Sequence, residues 1–199
     1  MILSEIQYFP PVTFFKTSYP ESYILLDQYE IYRKMSFRNR CLIAGANGII
    51  SLSVPLLHGR NQQVQMKDVR IAMSEHWQAR HWKSIQSAYN RSAFFDHYRD
   101  GLEKLYRMKT GWLMEWDLEC LQWAKEKLSW SGEIRLAGNP ETGAEVEDRR
   151  NRVLPKNYAE FRPVKYRQVF EEKLGFMPNL SILDLLFNVG KQAGELLNE

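Results

Sequence analysis

Ile2-Leu3-Ser4-Glu5-Ile6-Gln7-Tyr8-Phe9-Pro10-Pro11 is the stretch that decides the fold of this chain. Residues 1–8 read as a buried strand that stops at an uncharged Gln-Tyr-Phe-Pro-Pro edge. There two prolines remove successive backbone donors and force the chain to turn. Val12-Thr13-Phe14-Phe15 then reads as the start of a short helix, and Ser22-Tyr23-Ile24-Leu25-Leu26 as a second strand running into Asp27. The second strand shows no alternation of apolar and polar residues, which predicts burial on both faces. Strand, short helix and strand together predict a βαβ-like opening, with Pro20 separating the last two elements.

Working outward, Arg40-Cys41-Leu42-Ile43-Ala44 and Ile49-Ile50-Ser51-Leu52-Ser53-Val54 flank Gly45-Ala46-Asn47-Gly48. Asn47-Gly48 between apolar runs predicts a hairpin, because both residues tolerate positive φ. Pro55 closes the hairpin, His58–Asn61 reads as an exposed loop, and Val64–Ile71 reads as an edge strand. Three helices follow. Ser74 is placed to cap the first, in which Trp77, His81, Ile85 and Ala88 share a face. The second covers residues 94–108 with a stripe of Tyr98, Leu102, Leu105 and Tyr106. The third covers residues 111–129, where Trp112, Trp116, Cys120 and Trp123 align as a core-facing aromatic stripe. Glu133–Ala137 reads as a further strand, and residues 138–163 as a long loop suited to a mobile lid. Ser181 is placed to cap a last helix carrying Leu183, Leu186 and Phe187 inward. The class is α/β: a small mixed sheet opened by a βαβ-like unit and a hairpin, packed against a three-helix middle region and a C-terminal helix.

At 199 residues the chain fits one domain spanning residues 1–199, of a size that buries roughly 70% of its unfolded surface. Its two cysteines, Cys41 and Cys120, show no CxxC spacing and read as buried free thiols, with a disulfide or metal site as the alternatives. Glu5 stands where a signal peptide carries positive charge, and no apolar run approaches the ~18 residues of a membrane span. A cytoplasmic protein without a membrane span is expected. The net charge of +3 is too small to point to nucleic acid.

Four groups of residues carry candidate chemistry. Asp27 closes the second strand, and ligands of open α/β sheets gather at the carboxyl ends of strands, so Asp27 beside Gln7 and Tyr8 makes a pocket if the two strands are parallel; a turn carboxylate is the alternative. His81 and Ser84 share a helix face, which invites a nucleophile reading, but no GxSxG elbow accompanies them. His81 otherwise reads as a general base or as a satisfied core histidine. Arg33, Arg38, Asn39 and Arg40 enter the third strand, either to grip a phosphate or carboxylate or as a solvated edge. Residues 149–167 hold seven basic residues, among them Arg149 and Arg150, against the single acid Glu160, with Tyr158, Phe161 and Tyr166 interleaved. Such a segment suits an anionic ligand or forms plain solvated surface. His58, His76, His81 and His97 lack ligand spacing, so no metal is expected. Neither a GxGxxG nor a GxxxxGK[ST] motif is present, and no cofactor is expected.

These residues resemble the WbqC-like family. The points of similarity are Gln7-Tyr8-Phe9-Pro10 after the first strand, Asp27 closing the second, Asn39-Arg40 opening the third, His81-Trp82-Lys83-Ser84-Ile85 through Tyr89, and Leu180-Ser181-Ile182-Leu183-Asp184-Leu185-Leu186-Phe187-Asn188. Two departures stand out. The family's usual Gln-Pro-Tyr-Phe-Phe-Pro is shortened here to Gln-Tyr-Phe-Pro, and its acidic pair on the second strand is reduced to Asp27 followed by Gln28. The resemblance implies a bacterial protein of O-antigen and surface-polysaccharide gene clusters, and hence a transferase acting on an activated, nucleotide-linked amino sugar. On that reading Asp27 or His81 serves as general base, while Gln7, Tyr8, Asn39, Arg40, Lys83, Arg149 and Arg150 bind substrate. Gln7, Asp27, Asn39 and His81 should then converge on one concave pocket. The alternative is a non-catalytic interaction protein of a surface-biosynthesis or secretion pathway.

Overall fold

A computed structural model describes residues 1–73, 76–138 and 146–199. The expected cap Ser74 and part of the long loop lie outside the described residues. Strands β1 (Ile2–Glu5), β2 (Tyr23–Asp27), β5 (Glu133–Leu136) and β6 (Glu147–Asp148) form one sheet in the order β5-β2-β1-β6. All three pairings are parallel, and Glu5 lies in register with Asp27, so both carboxylates stand at carboxyl ends of central strands. The chain builds outward from β1 through β2 to β5 and then returns to add β6 on the other side of β1. The boundary between β1 and β6 is therefore the topological switch point, where open parallel sheets form their ligand crevice.

Pro11 in an extended conformation precedes α1 (Val12–Ser18), the crossover between β1 and β2. Strands β3 (Arg40–Gly45) and β4 (Gly48–Ser53) form the expected hairpin, but as a separate two-stranded sheet. Only Gly48 adopts positive φ, at 120°, so Ala46 and Asn47 form the tip and glycine absorbs the conformation that an L side chain resists. Helices α2 (Trp77–Tyr89), α3 (Phe95–Tyr106) and α4 (Leu113–Lys127) follow, then α5 (Glu171–Leu174), α6 (Ile182–Val189) and α7 (Ala193–Asn198).

The helical stripes behave as their spacing dictates except at Trp112, which precedes α4, is half-buried and carries the Arg70 guanidinium over its ring. Trp77, His81, Ile85 and Ala88 are buried on α2, Tyr98, Leu102, Leu105 and Tyr106 on α3, and Trp116, Cys120 and Trp123 on α4. Both cysteines are buried and free. The Ser181 hydroxyl accepts from the Leu183 N–H and caps α6, whose residues Ile182–Phe187 are all buried. A helix apolar all round belongs in the centre, and α6 packs against α1, α3, α4, α7 and β3.

Other local expectations fail for tertiary reasons. The loop expected over residues 138–163 contains β6, which pairs with Ile2 and Leu3 of β1, and a 3₁₀ turn at Tyr158–Glu160. Strand β2 buries Ile24 and Leu26 but leaves Tyr23, Leu25 and Asp27 half-covered, because its neighbour β5 is an exposed edge. Residues 64–71 are not a strand. Met66–Asp68 is a 3₁₀ turn whose Met66 and Lys67 N–H groups donate to the carbonyls of Glu30 and Gln28, with isolated bridges at Gln65 and Ile71. No helix among the described residues is long and apolar enough to cross a membrane.

Candidate functional site at the β1–β6 switch point

The Gln7-Tyr8-Phe9-Pro10 corner is clamped from outside. Tyr8 N–H donates to the Phe37 carbonyl at 3.0 Å, Ser181 Oγ donates to the Phe9 carbonyl at 3.0 Å, and Ile182 N–H donates to the Pro10 carbonyl at 2.9 Å. Phe9 is held at φ 38°, a left-handed conformation that costs an aromatic residue on the order of 1–3 kcal/mol. The capped start of α6 holds it there. The clamp sends Gln7 and Tyr8 into different surroundings.

Gln7 joins the carboxyl ends of the sheet. Its Nε2 donates to Glu5 Oε1 at 2.9 Å, and Glu5 Oε2 accepts the Asn151 N–H at 3.0 Å from just beyond β6. Beside them, Asp27 Oδ1 accepts the N–H groups of Tyr29 and Glu30, and its Oδ2 meets Arg150 Nη1 at 2.5 Å. Arg150 also pairs with Asp148, and the two carboxylates hold its guanidinium firmly charged. Arg38, fully buried, donates Nε and Nη2 to the two oxygens of Glu30 at 2.8 and 2.5 Å. Burial still pushes the Glu30 carboxyl above its usual range.

A cavity of about 70 Å³ opens at this point. Glu5, Gln7, Thr17, Arg149, Arg152 and Phe161 contribute to its wall, drawn from β1, α1 and the segment after β6. Gln7 Oε1 and Arg149 Nε are buried there without a hydrogen-bond partner. Each such unpaired buried group in the wall costs about 1–3 kcal/mol. The wall thus combines Glu5 and Gln7 with Arg149, whose guanidinium donates to the Thr17 carbonyl and to Glu147, and with Arg152, which also donates to Glu147.

Tyr8 enters the aromatic interior instead. Its hydroxyl lies 3.0 Å from His81 Nδ1 and forms a short bond with the Tyr106 hydroxyl, while Trp116 stacks at a tilt beside it. His81 also bonds the backbone of Ser53, and burial lowers its pKa to about 4. A neutral imidazole with both nitrogens engaged is a structural link between the hairpin and α2. Ser84 Oγ donates to the Arg80 carbonyl, away from the imidazole.

The remaining expected residues are distributed. Asn39 is buried at the base of the hairpin, accepting from the Tyr32 hydroxyl at 3.1 Å and donating to the Val54 carbonyl at 3.0 Å. Arg40 opens β3 with its Nε buried and unpartnered. Lys83 lines an open groove between α2 and the hairpin tip. The cavity wall thus includes Gln7 and Arg149, with Arg150 and Asp27 bonded at its side, and does not include Asn39 or His81. Among the described residues, no group of His, Cys, Asp and Glu side chains is placed to hold a metal.

Sequence reasoning passed over Glu5 as a site residue, and counted Arg38 and Arg152 only as members of basic clusters. The signal for Glu5 was present: an acid two residues before Gln7, at the end of an otherwise apolar strand. It also passed over Asp117 on α4, fully buried, with neither carboxylate oxygen hydrogen-bonded among the described residues. Burial drives the Asp117 carboxyl well above its usual range, and Arg38 offsets this only in part.

The sequence model described as WbqC-like protein family matches residues 6–154 and 139–196 of this chain. A protein of Mycobacterium tuberculosis (strain ATCC 25618 / H37Rv), named Uncharacterized protein Rv1507c, is 25% identical over 208 residues, covering 90% of this chain and 89% of that protein. No solved structure matches the chain significantly.

Proposed function

The chain belongs to the WbqC-like protein family, and we propose that it is a transferase moving a small acyl or aminoacyl group onto an activated, nucleotide-linked amino sugar of surface-polysaccharide assembly. The observation that supports this reading is the cavity at the β1–β6 switch point, in whose wall Gln7 Oε1 and Arg149 Nε are buried without partners. Acyl transfer needs a base for the attacking amine and donors for the oxyanion that forms on the carbonyl. Glu5 supplies the carboxylate by exchanging its bond from Gln7 Nε2 for the amine, which Gln7 Oε1 then orients. Arg149 and Arg152 face the developing oxyanion. The amine nitrogen bonds to the acyl carbon, its proton passes to Glu5, and the leaving group of the activated donor departs with the bonding pair.

Asp27 takes the role of positioning residue in this scheme. Its two oxygens are occupied by Arg150 and by the Tyr29 and Glu30 N–H groups, and it holds the segment after β6 against the strand ends. Titration calorimetry with UDP- and dTDP-linked amino sugars tests the proposal. Saturable binding that Glu5→Gln and Gln7→Ala weaken is expected, and no heat at millimolar ligand overturns it.

One observation favours the non-catalytic alternative: Arg149, Arg150 and Arg152 are already paired with Glu147, Asp148 and Asp27. An interaction protein of this kind loses cellular function on charge reversal at Arg149 and Arg150 and keeps it in Glu5→Gln. The transferase shows the loss in Glu5→Gln.

A further inference from the structure

We propose that the groove between α1 and residues 161–165 binds the diphosphate of the substrate, with Lys16 and Arg162 as its anion contacts; this rests on the transferase reading above. Size separates the two parts of the ligand. The cavity of about 70 Å³ has room for about two water-sized groups, since a water occupies ≈ 30 Å³ of liquid and an empty engineered cavity of ~150 Å³ just accepts benzene. It holds a small acyl group or an amine, and a hexose with its phosphates must lie outside. An adjoining open groove of about 550 Å³ shares Thr17 and Phe161 with the cavity as walls. That volume is within the ~300–1,000 Å³ of small-molecule sites.

Charge identifies what the groove takes. Most arginines of the basic segment are neutralised: Arg149 and Arg152 by Glu147, Arg150 by Asp27 and Asp148, and Arg167 by Glu172. Lys16 and Arg162 have no acidic partner among the described residues, and both line the groove. Lys165 stands on the same wall with its ammonium 4.0 Å from the centre of the Phe176 ring, and Glu199 contributes the groove's one carboxylate side chain. Three cations against one carboxylate suit a doubly or triply charged oxyanion, and a guanidinium can grip two phosphate oxygens at once. Phe161, at the threshold between groove and cavity, offers its ring to the sugar face. The substrate thus lies with its diphosphate on Lys16 and Arg162, its sugar on Phe161 and its amine directed toward Glu5 and Gln7.

The test is calorimetry of the full chain with pyrophosphate, UDP and a UDP-linked amino sugar at two salt concentrations. The proteins compared are wild type, Lys16→Glu, Arg162→Glu and the control Lys156→Glu, a basic residue of the same segment outside the groove. The expected result is binding of all three ligands that weakens with salt, falls at least tenfold in Lys16→Glu and in Arg162→Glu, and is unchanged in Lys156→Glu. Equal affinity of wild type and both groove variants overturns the groove assignment and leaves the transferase reading standing. Binding of pyrophosphate and UDP without any added affinity for the amino sugar keeps the groove and overturns the amino-sugar reading. No binding of any of the three by wild type overturns both.

Discussion

Gln7 and Tyr8 are neighbours in sequence and equally buried, yet they serve opposite ends of the molecule's physics. Tyr8 meets His81, Tyr106 and Trp116 in an interior where the imidazole and both hydroxyls are paired and neutral. Gln7 meets Glu5 at the strand ends and leaves its amide oxygen buried and unpartnered in the wall of the cavity. A buried polar group with every bond made holds a fold together. One left open beside a cavity marks where a ligand enters. On the proposed reading, one short motif divides into a half that builds the scaffold and a half that faces substrate.

The largest effect expected on the scaffold side is Trp116→Ala, which removes a fully buried ring packed against Trp77, Tyr106 and Tyr8. A loss of about 3–5 kcal/mol follows from the cavity left behind, read as a lower urea midpoint. A loss under ~1 kcal/mol would break the contrast, since the interior would then not carry the stability.

The next effect comes from His81, whose pKa falls from 6.5 in the unfolded chain to about 4 when buried. Between those values the unfolded chain binds a proton that the folded one refuses, so stability drops as pH falls and levels off below about 4. The loss is roughly 3 kcal/mol across that window. Denaturation at pH 7 and pH 4.5, in wild type and in His81→Gln, isolates this contribution. An unchanged pH slope in the variant would assign the dependence elsewhere.

Asp117 runs the other way and sharpens the comparison. Its raised carboxyl pKa gives a contribution to stability that is present below about pH 3.8 and is lost as pH rises through the folded value. Asp117→Asn should therefore gain stability at pH 8, on the order of 1 kcal/mol, with the gain vanishing at low pH. A loss at pH 8 would mean that the carboxylate is satisfied in the folded protein.

The architecture was legible where periodicity and turn chemistry act locally. The strand–helix–strand opening, the hairpin at Gly48, the helical stripes and the Ser181 cap all follow from residues close in sequence. Residues 64–71 misled because their bonds go to Gln28 and Glu30, a tertiary partner that no local pattern announces. Of the residues selected from type and position, the parallel pairing of β1 with β2 and β6 sets Gln7 and Arg149 in the wall of one cavity and bonds Asp27 to Arg150 at the strand ends. Glu5 drew attention only once that pairing set it at the cavity. His81 stood out in sequence because histidine is chemically versatile. It is buried between α2 and the hairpin, bonded to the Tyr8 hydroxyl and outside the cavity wall, and burial lowers its pKa.

The central claim, that the Gln7 side of the corner faces substrate and the Tyr8 side does not, is tested most directly by titrating a UDP-linked amino sugar into Gln7→Ala and Tyr8→Phe, with thermal unfolding recorded for both. The account predicts that Gln7→Ala loses at least tenfold in affinity with little change in melting temperature, while Tyr8→Phe binds like wild type and unfolds several degrees lower. Full affinity in Gln7→Ala together with impaired binding in a folded Tyr8→Phe would contradict it.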